Sequence, residues 1–157
     1  MLLAADAIGV RLEVTAGVPT WEASPVRRHQ QAIDRIRATI TPPPGEGSCA
    51  CVHLADVYIH FPDGSYKRPD ISIFCREPDE EDEAITLVPT AVVEVISAGY
   101  EVKDITIGPQ FYLAQGVADV IVLDPRSLQV THYRTSGVQR GVSPLPIVTV
   151  TGCSLTV

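Results

Sequence analysis

The strongest constraint on this chain is a pair of almost wholly apolar runs, Ala91 to Ile96 and Val120 to Leu123. Between them lies a stretch with Phe111, Tyr112 and Ala114 at helical spacing, closed by Gly116. Continuous apolar strands separated by a helix predict a central sheet covered on both faces. Glu94 alone interrupts the first run, and Asp124-Pro125 stops the second. A second acid, Asp70, follows Pro69 at the start of another apolar stretch, Ile71 to Cys75. An ionised carboxylate in an apolar setting is costly unless a cation or a donor meets it. Two acids on consecutive strands therefore suggest a divalent-metal site, or else a pair satisfied by arginine or backbone N–H groups.

The rest of the chain fits around that sheet. A strand is expected from Ile8 to Val14, ending at Ala16-Gly17, with Trp21 and Glu22 in the following loop. Ser24-Pro25 has the chemistry of a helix start. His29, Ile33, Ile36 and Ile40 then form one stripe, and Pro42-Pro43-Pro44-Gly45 ends the helix. Val52 to Phe61 and Ile71 to Cys75 read as two arms joined at Pro62-Asp63-Gly64. Val130 to Arg134 alternates like an outer strand, and Ile147 to Val157 adds further β-structure. No linker or repeat interrupts this order, so residues 1–157 are expected to form a single α/β domain.

Charge and composition narrow the possibilities. No apolar run approaches the ~20 residues of a membrane span, so no membrane partner is expected. The first residues lack a basic segment and include Asp6, which predicts a cytoplasmic protein. The net charge of −7 opposes nonspecific attraction to nucleic acid. Six acids between Glu77 and Glu83, read as a solvated loop, carry most of that excess. Arg27, Arg28, Arg35 and Arg37 face only Asp34 in their stretch, leaving room for a local basic surface. Cys49-Ala50-Cys51 lacks a second pair at zinc-finger spacing, while Cys75 and Cys153 end apolar runs and read as small core residues.

In order and spacing, several segments resemble the Uma family of restriction endonucleases, a branch of the PD-(D/E)xK nuclease superfamily. They are Trp21-Glu22, His29-Gln30, Arg68-Pro69-Asp70-Ile71-Ser72-Ile73, Val92-Val93-Glu94-Val95-Ile96-Ser97, Tyr112, Gly116-Val117, Val122-Leu123-Asp124-Pro125 and Tyr133-Arg134. The resemblance implies a restriction-endonuclease-like mixed β-sheet flanked by helices, and cleavage of DNA. It also implies Mg²⁺ or Mn²⁺ held by Asp70 and Glu94, with the Val95 carbonyl as a further ligand. Such an ion neutralises charge on a scissile phosphate and activates water.

The superfamily's lysine, two residues after the Glu, is Ile96 here. The Uma pattern places a lysine four residues before the Tyr, which here is Gly108. Only Lys67 and Lys103 are available in the chain. Lys103 could substitute if Gly108-Pro109 starts a helix; Lys67 could reach over the strand end. Either also reads as a surface cation. His29 on the inward stripe is a candidate to position water or phosphate, or a histidine satisfied by a carboxylate. Glu22 could reach the site from its loop. Tyr112 and Phe111 read as core, and Asp124 as the cap of a turn. A nuclease acting as a homodimer is one expectation, with the Leu145 to Val157 stretch as a pairing edge. The other is an inactive relative that binds DNA or protein.

Overall fold

The computed structural model describes residues 2–22, 26–80, 83–99 and 103–157, leaving aside the side chains of 3, 22, 103 and 104. The chain begins with α1 (Leu2–Ala7), β1 (Arg11–Thr15), β2 (Val18–Glu22) and α2 (Arg27–Arg37). Five strands follow: β3 (Val52–Ala55), β4 (Ile59–His60), β5 (Tyr66–Lys67), β6 (Ile71–Phe74) and β7 (Ala91–Val95). A π-helical turn (Lys103–Ile107) runs directly into α3 (Gly108–Ala114). The last strands are β8 (Asp119–Leu123), β9 (Gln129–Arg134), β10 (Gly137–Val142), β11 (Pro146–Val148) and β12 (Ser154–Thr156).

The centre is a six-stranded mixed sheet in the order β10-β9-β8-β7-β6-β3, in which only β7 and β8 run parallel. These two are the apolar runs, and the connection through α3 carries the chain back to the start of β8. Alternation along the strands splits the core in two. Ile71, Ile73, Val93, Val95, Ile121 and Leu123 pack with Ala32, Ile33 and Ile36 of α2 and with Ile147 and Leu155 of the C-terminal hairpin. On the opposite face Phe74, Val92, Val120 and Val122 pack with Tyr112 and Val117, and with Ile59 and Phe61. Burying each such aliphatic side chain is worth about 1.5–3 kcal/mol. Both faces are covered, as the apolar runs predict.

Several local expectations change. A short helix, α1, precedes the first strand, which starts at Arg11. Trp21 and Glu22 lie in β2, paired with Leu12 and Arg11, and not in a loop. Residues 52 to 61 divide between two sheets: β3 pairs with β6, whereas β4 pairs with β5 in the sheet β2-β1-β5-β4. The turn at Asp63-Gly64, with Gly64 at φ +85°, therefore joins β4 to β5. α2 begins at Arg27, and Ser24-Pro25 lies outside the described residues. The Leu145 to Val157 stretch folds onto the core, with Ile147, Leu155 and Val157 buried. The exposed edge is β10, where Val138 and Val142 face solvent. Among the described residues no helix is long and apolar enough to cross a membrane.

The turn after β8 forms as its sequence predicts: Asp124 accepts from the Arg126 N–H at 2.9 Å and from the Ser127 hydroxyl at 2.8 Å. At the other end of β8, Asp119 is fully buried. It accepts from His132 Nε2 at 2.8 Å, Arg134 Nε at 2.6 Å and the Val150 N–H at 2.8 Å. Burial pushes its carboxyl up, but these donors outweigh burial and hold the pKa below 3.8. A depressed pKa adds stability that is present above the unfolded value and lost as pH falls through the folded one. Asp119→Asn should cost about 3 kcal/mol near neutral pH. In denaturant melts that deficit should shrink as the pH drops below 3.8; a deficit constant with pH would contradict the role given to its charge.

Candidate active site

β6 and β7 are antiparallel, with Ile71 opposite Val93, and that register sets Asp70 opposite Glu94. Each acid is tied to the other's strand. Asp70 Oδ2 accepts from the Val95 N–H at 2.8 Å, and Glu94 Oε2 accepts from the Asp70 N–H at 3.4 Å. The remaining contacts diverge toward the two helices. Asp70 Oδ2 lies 3.1 Å from His29 Nε2 on α2, and Glu94 Oε1 accepts from the Tyr112 hydroxyl of α3 at 2.6 Å. Among the described residues Asp70 is thus met by an imidazole and an amide, not by a guanidinium.

Burial pulls the His29 imidazole toward its neutral form, but the Asp70 hydrogen bond and charge outweigh burial and raise its pKa above 6.5. His29 Nδ1 is buried and has no hydrogen-bond partner among the described residues. Burial, together with Glu94, Glu13 and Asp70, raises the Tyr112 pKa well above its ordinary value, so its hydroxyl stays a donor.

A buried ion pair lies beside these groups. The pairing of Val14 with Tyr66 sets Glu13 of β1 opposite Lys67 of β5. Lys67 Nζ sits 3.2 Å from Glu13 Oε2, and both residues are 3% exposed. Glu13 Oε1 also accepts from the Arg68 N–H at 3.0 Å. Lys67 Nζ is 5.2 Å from the centre of the Phe111 ring, beside Tyr112 in sequence. Arg68 anchors this approach to Asp70 through Asp6 at 2.5 Å and Asp56 at 2.9 Å, while Arg11 also pairs with Asp56.

The structure therefore gathers Asp70, Glu94, His29 and the backbone of Val95, the last through its amide N–H. Lys67 is not a surface cation but is buried against Glu13. Tyr112 is core, yet it carries a polar contact to Glu94. Ile96 and Gly108 are both buried and supply no cation. The side chains of Lys103 and Glu22 lie outside those described. Glu13 is the residue that sequence reasoning missed. In Arg11-Leu12-Glu13-Val14-Thr15 it falls on the polar side of an alternating strand, which usually faces solvent. The one signal was the rarity of lysine.

Two carboxylates, with Asp70 Oδ1 lacking a hydrogen-bond partner among the described residues, suit a hard divalent ion that keeps several waters. The set is open rather than a closed cage. Among the described residues, at least three potential ligand atoms converge within 4.8 Å only at Cys49, Cys51 and Cys153.

The mixed sheet flanked by helices is a nuclease-like fold. The Uma2 family model, described as "Putative restriction endonuclease", matches residues 2–152, and the chain belongs to that family. Among solved structures it is similar to "a putative nuclease belonging to DUF820" from Anabaena variabilis, with a TM-score of 0.65 and 19% identity. That match covers 87% of this chain and 81% of the other. No curated protein matches the sequence.

Breaking a buried pair from one side strands a charge and costs about 3–5 kcal/mol, whereas replacing both partners costs far less. Glu13→Leu and Lys67→Met should each destabilise the protein by that amount in urea melts. The double variant should recover most of the loss, and additive losses would show that the two side chains do not depend on each other.

Proposed function

We propose that this chain is a metal-dependent DNA endonuclease with its centre at Asp70 and Glu94. The observation that carries the reading is the reciprocal bonding of these acids across β6 and β7, which fixes a buried carboxylate, Asp70, and a half-buried one, Glu94, at one strand junction. Asp70 and Glu94 would hold Mg²⁺ or Mn²⁺, with the Val95 backbone beside them. The ion would supply charge neutralisation on phosphate and a more acidic bound water.

The chain's own groups have separate tasks in this reading. His29 orients Asp70 from α2, its imidazole buried against the carboxylate. Tyr112 fixes the Glu94 carboxylate by donating to it. Arg27 and Arg28 are exposed on the first turn of α2, beside His29, where they would contact the DNA backbone. Lys67 is the cation that stands in for the lysine missing at positions 96 and 108, held ready by Glu13. Lys103 remains a second candidate, from the segment that leads into α3. The nuclease unit spans residues 1–157, acts in the cytoplasm, and pairs into a homodimer to cut both strands.

A second reading, an inactive relative that binds DNA or protein, is favoured by the buried Ile96 and Gly108 at both lysine positions. Plasmid cleavage in Mg²⁺ or Mn²⁺ separates the two. The endonuclease reading predicts turnover that Asp70→Ala and Glu94→Ala abolish and that Lys67→Met lowers about a hundredfold or more. Absence of cleavage by folded protein across both metals would instead favour the inactive relative, as would cleavage unaffected by either acid variant. Sedimentation should give two chains per particle; a single-chain mass would remove the dimer.

A further inference from the structure

The four cysteines, expected to be unrelated, meet at one place: the sulfurs of Cys49, Cys51 and Cys153 form a close group, and Cys75 joins it through its bond to Cys49. Cys49 and Cys51 precede β3, Cys75 follows β6, and Cys153 precedes β12. The cluster therefore sits at the opposite end of β6 from Asp70. The sulfurs form two disulfides, Cys49–Cys75 and Cys51–Cys153, so Cys75 and Cys153 are not simply small core residues. The two bridges touch: Cys49 Sγ lies 3.5 Å from Cys153 Sγ. The sulfurs of Cys49, Cys51 and Cys153 all lie within 4.8 Å of one another. Cys51 and Cys153 are buried, and the turn around Cys153 is tied by its N–H to the Thr149 hydroxyl at 3.0 Å.

We infer that these four cysteines are a structural metal site, which in its thiolate form takes one Zn²⁺ per chain. Zinc bound by four thiolates at about 2.3 Å holds neighbouring sulfurs about 3.8 Å apart. The contact between the two bridges is already close to that spacing. The missing second pair at zinc-finger spacing is supplied from far along the chain, by residues 75 and 153. Four soft donors select zinc over the hard ions suited to Asp70 and Glu94. With all four positions filled by protein the site is closed, so its work is mechanical: it joins the β11–β12 hairpin to the ends of β3 and β6.

The metal form and the disulfide form are alternatives. Opening both bridges takes four electrons and four protons. Two equivalents of a dithiol reductant supply them, each becoming a cyclic disulfide. Zn²⁺ then displaces the four thiol protons, which leave to solvent. In a reducing compartment, where disulfides do not persist, the thiolate form is the one expected.

The test uses the full chain, reduced with a dithiol and desalted without oxygen, after confirming four titratable thiols. Added Co²⁺ should give the sulfur-to-metal charge-transfer band and the visible bands of a tetrahedral thiolate centre. Zn²⁺ should bleach them at one equivalent and raise the thermal midpoint. Cys75→Ser and Cys153→Ser should each weaken binding about a hundredfold or more, while Asp70→Ala leaves it unchanged. Four free thiols with no cobalt band would overturn the inference, as would an ion lost in Asp70→Ala but kept in both cysteine variants. If the cysteine variants fail to fold, the wild-type cobalt spectrum decides alone, because the charge-transfer band requires thiolate ligands.

Discussion

Two backbone-to-carboxylate hydrogen bonds across β6 and β7 hold the arrangement on which the site depends. Asp70 takes the amide after Glu94, and Glu94 takes the amide of Asp70. Asp70 is buried and Glu94 half-buried, so both need donors, since an unmet buried charge would cost several kcal/mol. The sheet supplies them, and among the described residues no arginine meets Asp70. One carboxylate then leans toward α2 and the other toward α3, so helices on opposite faces both take part in the site. His29 and Tyr112 are the contacts that result, and α2 and α3 are held against the sheet by apolar residues of the two core clusters.

The same logic explains the outer sheet. β1 and β5 add no long apolar surface, but they bring Glu13 and Lys67 together where neither could remain alone. A buried pair of this kind is weak evidence for stability, because desolvation offsets much of its attraction. Lys67 lies three residues before Asp70 in the chain, with its ammonium 5.2 Å from the centre of the Phe111 ring of α3. Arg68, clamped by Asp6 and Asp56, fixes the path of the chain between the two.

What could be read from the sequence was what depends on neighbours along the chain. The apolar runs announced β7 and β8, the spacing of His29, Ile33 and Ile36 announced the buried face of α2, and Asp124 announced its turn. What escaped depends on partners far away. Glu13 meets a lysine 54 positions on, and Cys51 meets a cysteine 102 positions on. Trp21 gave the opposite lesson: its strand is made by pairing with β1, although its flanking residues suggest a loop. Periodicity carries no information about such meetings, since tertiary partners decide them.

The proposed chemistry rests on both carboxylates sharing one ion, and a crystal soaked in Mn²⁺ tests that most directly. The account predicts an anomalous peak within coordination distance of Asp70 Oδ1 and a Glu94 oxygen, with the Val95 N–H still bonded to Asp70. A fully ordered site with no peak there, and both acids engaged only by protein groups, would contradict it.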